Sequence, residues 1–262
     1  MADGVEQIYI ALISVHGLIR ADNLELGRDA DTGGQTLYVL ELAQALSELP
    51  NVCQVDLVTR RVIDSHVDAE YAEPIEKVND KFRIVRIEAG PDEYIYKEHL
   101  WEHLDGFADN LADFFRKQDH VPDLIHSHYA DAGLVRSHVA NLLGIPLVHT
   151  GHSLGRVKRR RLLASGLTTE QIESLYNMTR RIEAEEITLA TAERVITSTH
   201  QEIEEQYEIY DHYQPDQMRV IPPGTNIKQF KAPEGNELES ELFQKLTHQL
   251  TDPHKPIILA LS

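Results

Sequence analysis

Short apolar runs alternate with stretches of helical period along most of this chain. The runs Ile8–Val15, Val55–Thr59, Phe82–Ile87, Leu124–Ser127, Pro146–Thr150, Val195–Ser198 and Arg219–Ile221 predict strands. Helices are predicted between them, over Thr36–Leu49, Leu100–Arg116, Ala132–Leu143, Thr169–Ala192 and Gln201–Tyr207. Strands that are apolar without alternation bury both faces, and interleaved helices supply the cover. The pattern therefore predicts an α/β fold, a parallel sheet with helices on both faces. Thr168 or Thr169 can cap the helix that follows it, whose first turns are acidic.

The first unit carries the strongest local signal. A strand leads through the long loop Gly17–Thr32, with Arg20, Arg28, Asp29 and Asp31, to the pair Gly33-Gly34 and Gln35. Leu37, Leu40, Ala43, Leu46 and Leu49 then recur at helical spacing. Glycines without a Cβ let a ligand approach the backbone closely, and the N–H groups of a helix's first turn favour an anion. Long loops in compact domains tend to be functional or disordered. Neither G-x-G-x-x-G nor G-x-x-x-x-G-K-[ST] is present, so the dinucleotide fingerprint and the P-loop are not supported.

The C-terminal part reads differently. Pro222-Pro223-Gly224 is a turn, Lys231–Asn236 is polar and linker-like, Glu237–Leu250 is amphipathic, and Ile257–Leu261 reads as the first strand of another sheet. The expected division is a domain over 1–230, with 231–262 a linker and the first strand of a second domain. On this reading the chain is a fragment, or half of a two-domain protein.

Composition narrows the function classes. Across 262 residues, 25 Lys and Arg face 43 Asp and Glu, for a net charge of −18. That balance argues against nonspecific binding of nucleic acid or anionic membrane. Cys53 stands alone, so no internal disulfide can form. No basic leader, and no run of the roughly 18 apolar residues a membrane span requires, is visible. The expectation is a soluble cytoplasmic protein.

Gly151-His152-Ser153-Leu154-Gly155 follows a strand and matches G-x-S-x-G, the nucleophile elbow of α/β-hydrolases. As a serine hydrolase, the chain would use Ser153 with Asp211 and His254. Against this, Arg156, Lys158, Arg159, Arg160 and Arg161 crowd the segment that an elbow helix needs apolar, and no HGGG-type loop is present. An anion clamp fits better: Ser153 donates, and Lys158 lies within helical reach of it, with Arg159–Arg161 mostly at the surface. Of the pair Arg180-Arg181, one faces inward and the other solvent. His126 and His128 share one face of a strand, with His149 and His152 on the next, at a strand end where open α/β sheets place their ligands; tetrahedral metal logic is lacking. Lys97, in Tyr94–Glu98, can reach a ligand at the sheet edge.

Taken in order, these segments resemble one family. Glu25–Asp29 with Asp31–Gln35, then Lys97-Glu98 before Leu100-Trp101, HSHYADAG at His126–Gly133, TGHSLGR at Thr150–Arg156, RRIEAEE at Arg180–Glu186, VITSTHQE at Val195–Glu202 and IPPGT at Ile221–Thr225 look like sucrose-phosphate synthase. The match runs from about Ile8 to Leu261. Sucrose synthase, which uses fructose, is similar in the glycine loop and the ITST strand and differs at TGHSLG.

The resemblance implies a retaining glycosyltransferase of the GT-B kind, two Rossmann-like halves facing a cleft, with this chain as the acceptor-binding N-terminal half. It implies transfer of glucose from UDP-glucose, or another nucleotide-glucose, to fructose 6-phosphate, giving sucrose 6-phosphate, with no cofactor or bound metal. Gly33, Gly34 and Gln35 would lie beside the donor glucose and the fructose. Lys97, Ser153, Lys158 and Arg180 or Arg181 would hold the acceptor, and His152 would lie at the transferring glucose. The diphosphate contacts belong to the other half, so this chain alone is expected to be inactive. Other possibilities are a noncatalytic module descended from the transferase and, more remotely, the Ser153 hydrolase.

Overall fold

A computed structural model describes residues 7–227, 235, 239–248, 250, 252 and 255. The chain divides into two compact units, Met1–Pro222 and Pro223–Ser262. In the first, eight strands form one sheet: β1 Ile8–Ile13, β2 Val52–Arg60, β3 Ile75–Lys77, β4 Phe82–Ile87, β5 Leu124–His128, β6 Leu147–Thr150, β7 Arg194–Thr197 and β8 Met218–Val220. Their order is β3-β4-β2-β1-β5-β6-β7-β8, and every pair is parallel except β3 with β4. The order reverses between β1 and β5, which opens a crevice beyond the carboxyl ends of those strands.

Alternation along β1 builds the two cores. Ile10 and Leu12 pack with Val39, Leu40 and Ala43 of α1, Gly34–Ser47. Ala11 and Ile13 pack with Phe107, Leu111 and Phe115 of α2, Leu104–Arg116, and with Val135 and Val139 of α3, Tyr129–Leu143. Successive strand residues point to opposite faces, so one apolar strand serves both layers. The expected α/β architecture, a parallel sheet covered on both sides, is the one found.

Four local expectations differ from what forms. The buried face of α1 is Thr36, Val39, Leu40, Ala43 and Ser47, whereas Leu37 and Leu49 are exposed. The basic run after Ser153 is itself a helix, α4, Gly155–Ala164. The long helix expected over Thr169–Ala192 is two helices, α5 Thr169–Tyr176 and α6 Met178–Thr191, separated by Asn177 in the left-handed region at φ 46°. Strand β3 was not anticipated. Thr168 does cap α5, accepting from Gln171 N–H while the Gln171 side chain accepts from Thr168 N–H.

Segment Glu202–Tyr207 forms one wide π-type helical stretch. In the second unit, α7 spans Glu241–Thr247 inside the amphipathic stretch, with Ser240 Oγ accepting from Phe243 N–H at 3.2 Å. The strand expected at 257–261 and most of the linker lie outside the described residues. Among the described residues no helix is long and apolar enough to cross a membrane.

Candidate active site

The crevice at the β1/β5 switch gathers most of the sequence candidates. Gly33 ends the loop after β1, and Gly34 and Gln35 open α1. A Cβ at Gly33 or Gly34 would meet no atom within 4 Å, and neither has a positive φ, so packing within the chain makes no demand for glycine there. Gly17, earlier in the loop, is different: at φ +87°, a Cβ would lie 2.6 Å from the Asp31 carbonyl oxygen. Gln35 Nε2 donates to Ser14 Oγ at 3.1 Å, tying the start of α1 to the end of β1.

Asp31 joins this loop to Lys97. Its buried carboxylate accepts from the Lys97 backbone N–H at 2.7 Å, and its other oxygen pairs with the Lys97 ammonium. Asn177 Nδ2 donates to the neighbouring Glu98 carbonyl at 2.6 Å, so the α5–α6 break holds the same segment from the other side.

The turn after β6 carries His152 and Ser153. His152 is held at φ 55° and Tyr129, which follows β5, at φ 77°. Two non-glycine residues in the left-handed region at adjacent strand ends mark local strain, which clusters at functional sites. Arg181 fixes this turn. Buried on α6, it pairs with Glu185 Oε1 through Nε at 3.0 Å, lies 4.6 Å from the Tyr129 ring centroid, and donates to Ser153 O and Oγ at 2.6 and 3.2 Å. Glu185 also accepts from Gly155 N–H at 2.9 Å and from the Tyr210 hydroxyl. Burial pushes the Glu185 carboxyl up, against the pull of Arg181. Thus Arg181 is the inward member of the pair, while Arg180 is exposed. Arg180 lines a separate cavity of about 440 Å³ with Glu98, His99, Trp101 and Asn177.

Lys158 on α4 sits with its ammonium 4.0 Å from the Tyr176 ring centroid. Burial, then Arg181 and Lys97, hold its pKa below the ordinary lysine value. Arg181 and Lys97 act on it as charges already paired, with Glu185 and with Asp31, and Glu98 and Asp31 pull the other way. His152, Ser153, Lys158, Arg161, Glu202 and Gln206 line a cavity of about 320 Å³.

The imidazoles form a packed column. His126 and His128 lie 4.2 Å apart between centroids, His128 Nδ1 and His152 Nε2 share a 3.0 Å hydrogen bond, and Tyr38 of α1 packs edge-on against His152 at 5.1 Å. His126 Nε2 bonds Thr150 Oγ1 at 2.8 Å and His149 Nδ1 bonds Ser127 Oγ at 2.9 Å. Burial holds His126 and His149 down to about 3. His152 is exposed as a residue, while its ring loses water on the side packed against His128 and Tyr38. That desolvation, with His16 adding to it, holds the ring down to about 4. Among the described residues no group of three or more His, Cys, Asp or Glu is placed to hold a metal ion.

A nucleophile elbow would put the strained backbone at Ser153; here it falls on His152. Ser153 Oγ accepts from Arg181 and has no imidazole among its hydrogen-bond partners. Asp211 pairs with Arg156 at 2.7 Å, and His254 lies outside the described residues. Among the described residues the geometry gives Ser153 no base.

Tyr38, Tyr129 and Glu185 were not singled out in the sequence as parts of this site, and Asp31 was named only as part of the loop before Gly33. Only the αL-demanding turns and the buried acids that answer Arg181 and Lys97 disclose them.

A family model described as the sucrose synthase first GT-B domain matches residues 5–230. A maize sucrose-phosphate synthase is 40% identical across 98% of this chain and 30% of its own length. A solved sucrose-phosphate synthase from Thermosynechococcus elongatus aligns at TM-score 0.70 and 30% identity, covering 89% of this chain and 52% of that one. The chain spans about 30% of the length of the curated relatives it matches.

Proposed function

Because this chain belongs to the family of the sucrose synthase first GT-B domain, we propose that it is the acceptor-binding half of a sucrose-phosphate synthase. In this reading it binds fructose 6-phosphate and receives glucose from UDP-glucose, or another nucleotide-glucose, with retention, giving sucrose 6-phosphate. It acts in the cytoplasm together with a second GT-B domain that grips the nucleotide, and residues 1–262 alone turn over negligibly.

One observation carries the reading. Lys158 lines the cavity at the His152–Ser153 turn, Arg181 donates to that turn, and Lys97, paired with Asp31 of the loop before Gly33, acts electrostatically on Lys158, although the chain as a whole is strongly acidic. A cationic focus of this kind suits a phosphorylated sugar better than a neutral one. That weighs for fructose 6-phosphate over the fructose of a sucrose synthase. Arg181 is engaged inside the protein, so it sets the shape of the Ser153 turn and adds its field. In this reading Lys158 and the Ser153 hydroxyl, which accepts from Arg181 and keeps its own proton to donate, meet the phosphate.

Front-face transfer asks little covalent chemistry of the protein. It depends on aligning the acceptor hydroxyl with the anomeric carbon and on an environment that tolerates the charge developing there. Glycine at 33 and 34 leaves room for the two sugars to meet the backbone. His152, kept neutral near pH 7 by its packing, adds no positive charge beside an anomeric carbon that is itself becoming positive; its ring or carbonyl dipole can stabilise that centre.

A competition assay tests this. The full-length enzyme containing this chain is offered UDP-glucose with equal fructose and fructose 6-phosphate, and the products are separated. Sucrose 6-phosphate as the main product is expected; sucrose in its place would make the protein a sucrose synthase.

A further inference from the structure

We propose that His128, which lies at the end of β5 behind the cleft, is a positioning residue that sets the tautomer of His152. The 3.0 Å contact between His128 Nδ1 and His152 Nε2 requires one proton between the two nitrogens. Two arrangements supply it. In the first, His128 carries its proton on Nδ1 and donates, and its Nε2 is bare. In the second, His152 donates from Nε2, and the proton of His128 is forced onto its own Nε2.

The environment of His128 decides between them. The residue is fully buried, and its Nε2 has no hydrogen-bond partner. A buried N–H left without an acceptor is rarer and more costly than an acceptor with an empty lone pair. His128 therefore donates from Nδ1, and His152 holds its proton on Nδ1. Among the described residues His152 makes no other side-chain hydrogen bond, so Nδ1–H is its available donor, on a residue that lines the 320 Å³ cavity.

The arrangement also resists protonation of His152. A proton added at its Nε2 would face the Nδ1–H of His128 and would drive the His128 proton onto the enclosed nitrogen. Of the groups near this pair, the neighbouring imidazoles push the same way, while the carboxylate of Glu202, which lines the same cavity as His152, pulls the other way. His126 stacks on His128 from β5, Tyr38 packs on both rings from α1, and His149 lies on β6. His16, at the end of β1, is occupied through Nδ1 by Asp131 Oδ2 at 2.7 Å. The site thus receives a neutral, oriented donor in place of an imidazolium. The value of that donor to glucosyl transfer rests on the function proposed above; the tautomer itself does not.

The test is long-range proton–nitrogen NMR of the full chain labelled with ¹⁵N-histidine. His152 is expected to show a protonated Nδ1 and a bare Nε2 from pH 8 down to pH 5. In His128→Ala its two nitrogens should average, and its titration midpoint should rise by at least about one unit, since the donor to Nε2 is gone. His128→Asn, whose amide nitrogen can take the place of Nδ1, should restore the wild-type pattern.

A wild-type His152 protonated on Nε2, or an unchanged tautomer in His128→Ala, would overturn the proposal. Should the alanine variant fail to fold, the wild-type spectrum alone decides. Fructose 6-phosphate added to the same samples reports the acceptor reading separately, through shifts of the site resonances.

Discussion

Arg181 donates to the carbonyl oxygen of Ser153 at 2.6 Å, reaching from α6 to the turn that follows β6. The contact is possible because Glu185, one helical turn further along α6, anchors the guanidinium by Nε and caps α4 through Gly155 N–H. Two helices and a strand end are thereby fixed to one buried ion pair. Removing one partner of such a pair strands the other charge, at a cost of about 3–5 kcal/mol. Arg181→Ala is expected to lose that much in urea unfolding. Arg181→Lys keeps the charge but not the planar fork, and should recover only part of it. A loss below about 1 kcal/mol for Arg181→Ala would contradict the clamp.

Glycine substitutions separate packing from ligand contact. A Cβ on Gly133 of α3 would lie 2.3 Å from Thr188 Oγ1 on α6, so Gly133→Ala forces two packed helices apart. Overpacking of this kind costs about 1–3 kcal/mol. A Cβ on Gly34 meets nothing within 4 Å. Gly34→Ala should therefore leave the melting temperature unchanged or slightly raised, while weakening acceptor binding at least tenfold by calorimetry. Equal binding by Gly34→Ala would show that no ligand approaches that backbone.

Acid should destabilise the fold through its buried imidazoles. His126 and His149 titrate at about 3 in the folded chain, against about 6.5 when unfolded. The unfolded state binds more protons between those values, so the stability they contribute is full above pH 6.5 and falls as pH drops towards 3. Each contributes up to about 1.4 kcal/mol per pH unit in that window. Urea midpoints at pH 7.5, 6 and 5 should fall progressively, with an unchanged slope. A flat profile would mean that these rings are protonated or solvated in the native state.

The break at Asn177 gives a backbone prediction. Asn177 holds φ 46° and donates to the Glu98 carbonyl at 2.6 Å. Alanine at this position suffers the left-handed penalty of about 1–2 kcal/mol and loses the bond as well. Glycine loses only the bond. Denaturation should rank wild type above Asn177→Gly and Asn177→Gly above Asn177→Ala.

What was legible in the sequence follows from which residues do the burying. The central strand is apolar on both faces, so Ile8–Ile13 declares itself without any knowledge of partners. The first helix was found but its face was turned, because Thr36 and Ser47 do the burying. Each bonds a carbonyl of its own helix, Gly33 O at 2.8 Å and Gln44 O at 2.7 Å, and so enters the core with its hydroxyl satisfied. The helix α4 was hidden by charge: Arg and Lys are good helix formers but leave no apolar stripe to read. The break at Asn177 had a signal in the residue itself, since asparagine tolerates αL. Within the site, motif residues such as Gly33, His152 and Arg181 stood out by type and spacing. Tyr129 and Glu185 were silent, and Asp31 showed no partner, because their roles exist only once distant segments meet.

The most direct test of the account is whether the crevice distinguishes a phosphorylated hexose from a neutral one. Thermal unfolding of the chain is followed with fructose 6-phosphate or fructose at equal concentration, in the wild type and in Lys158→Ala. The account predicts a clear rise in melting temperature with fructose 6-phosphate, little or none with fructose, and loss of the rise in the variant. Equal responses to the two sugars, or a rise that survives removal of the Lys158 ammonium, would contradict it.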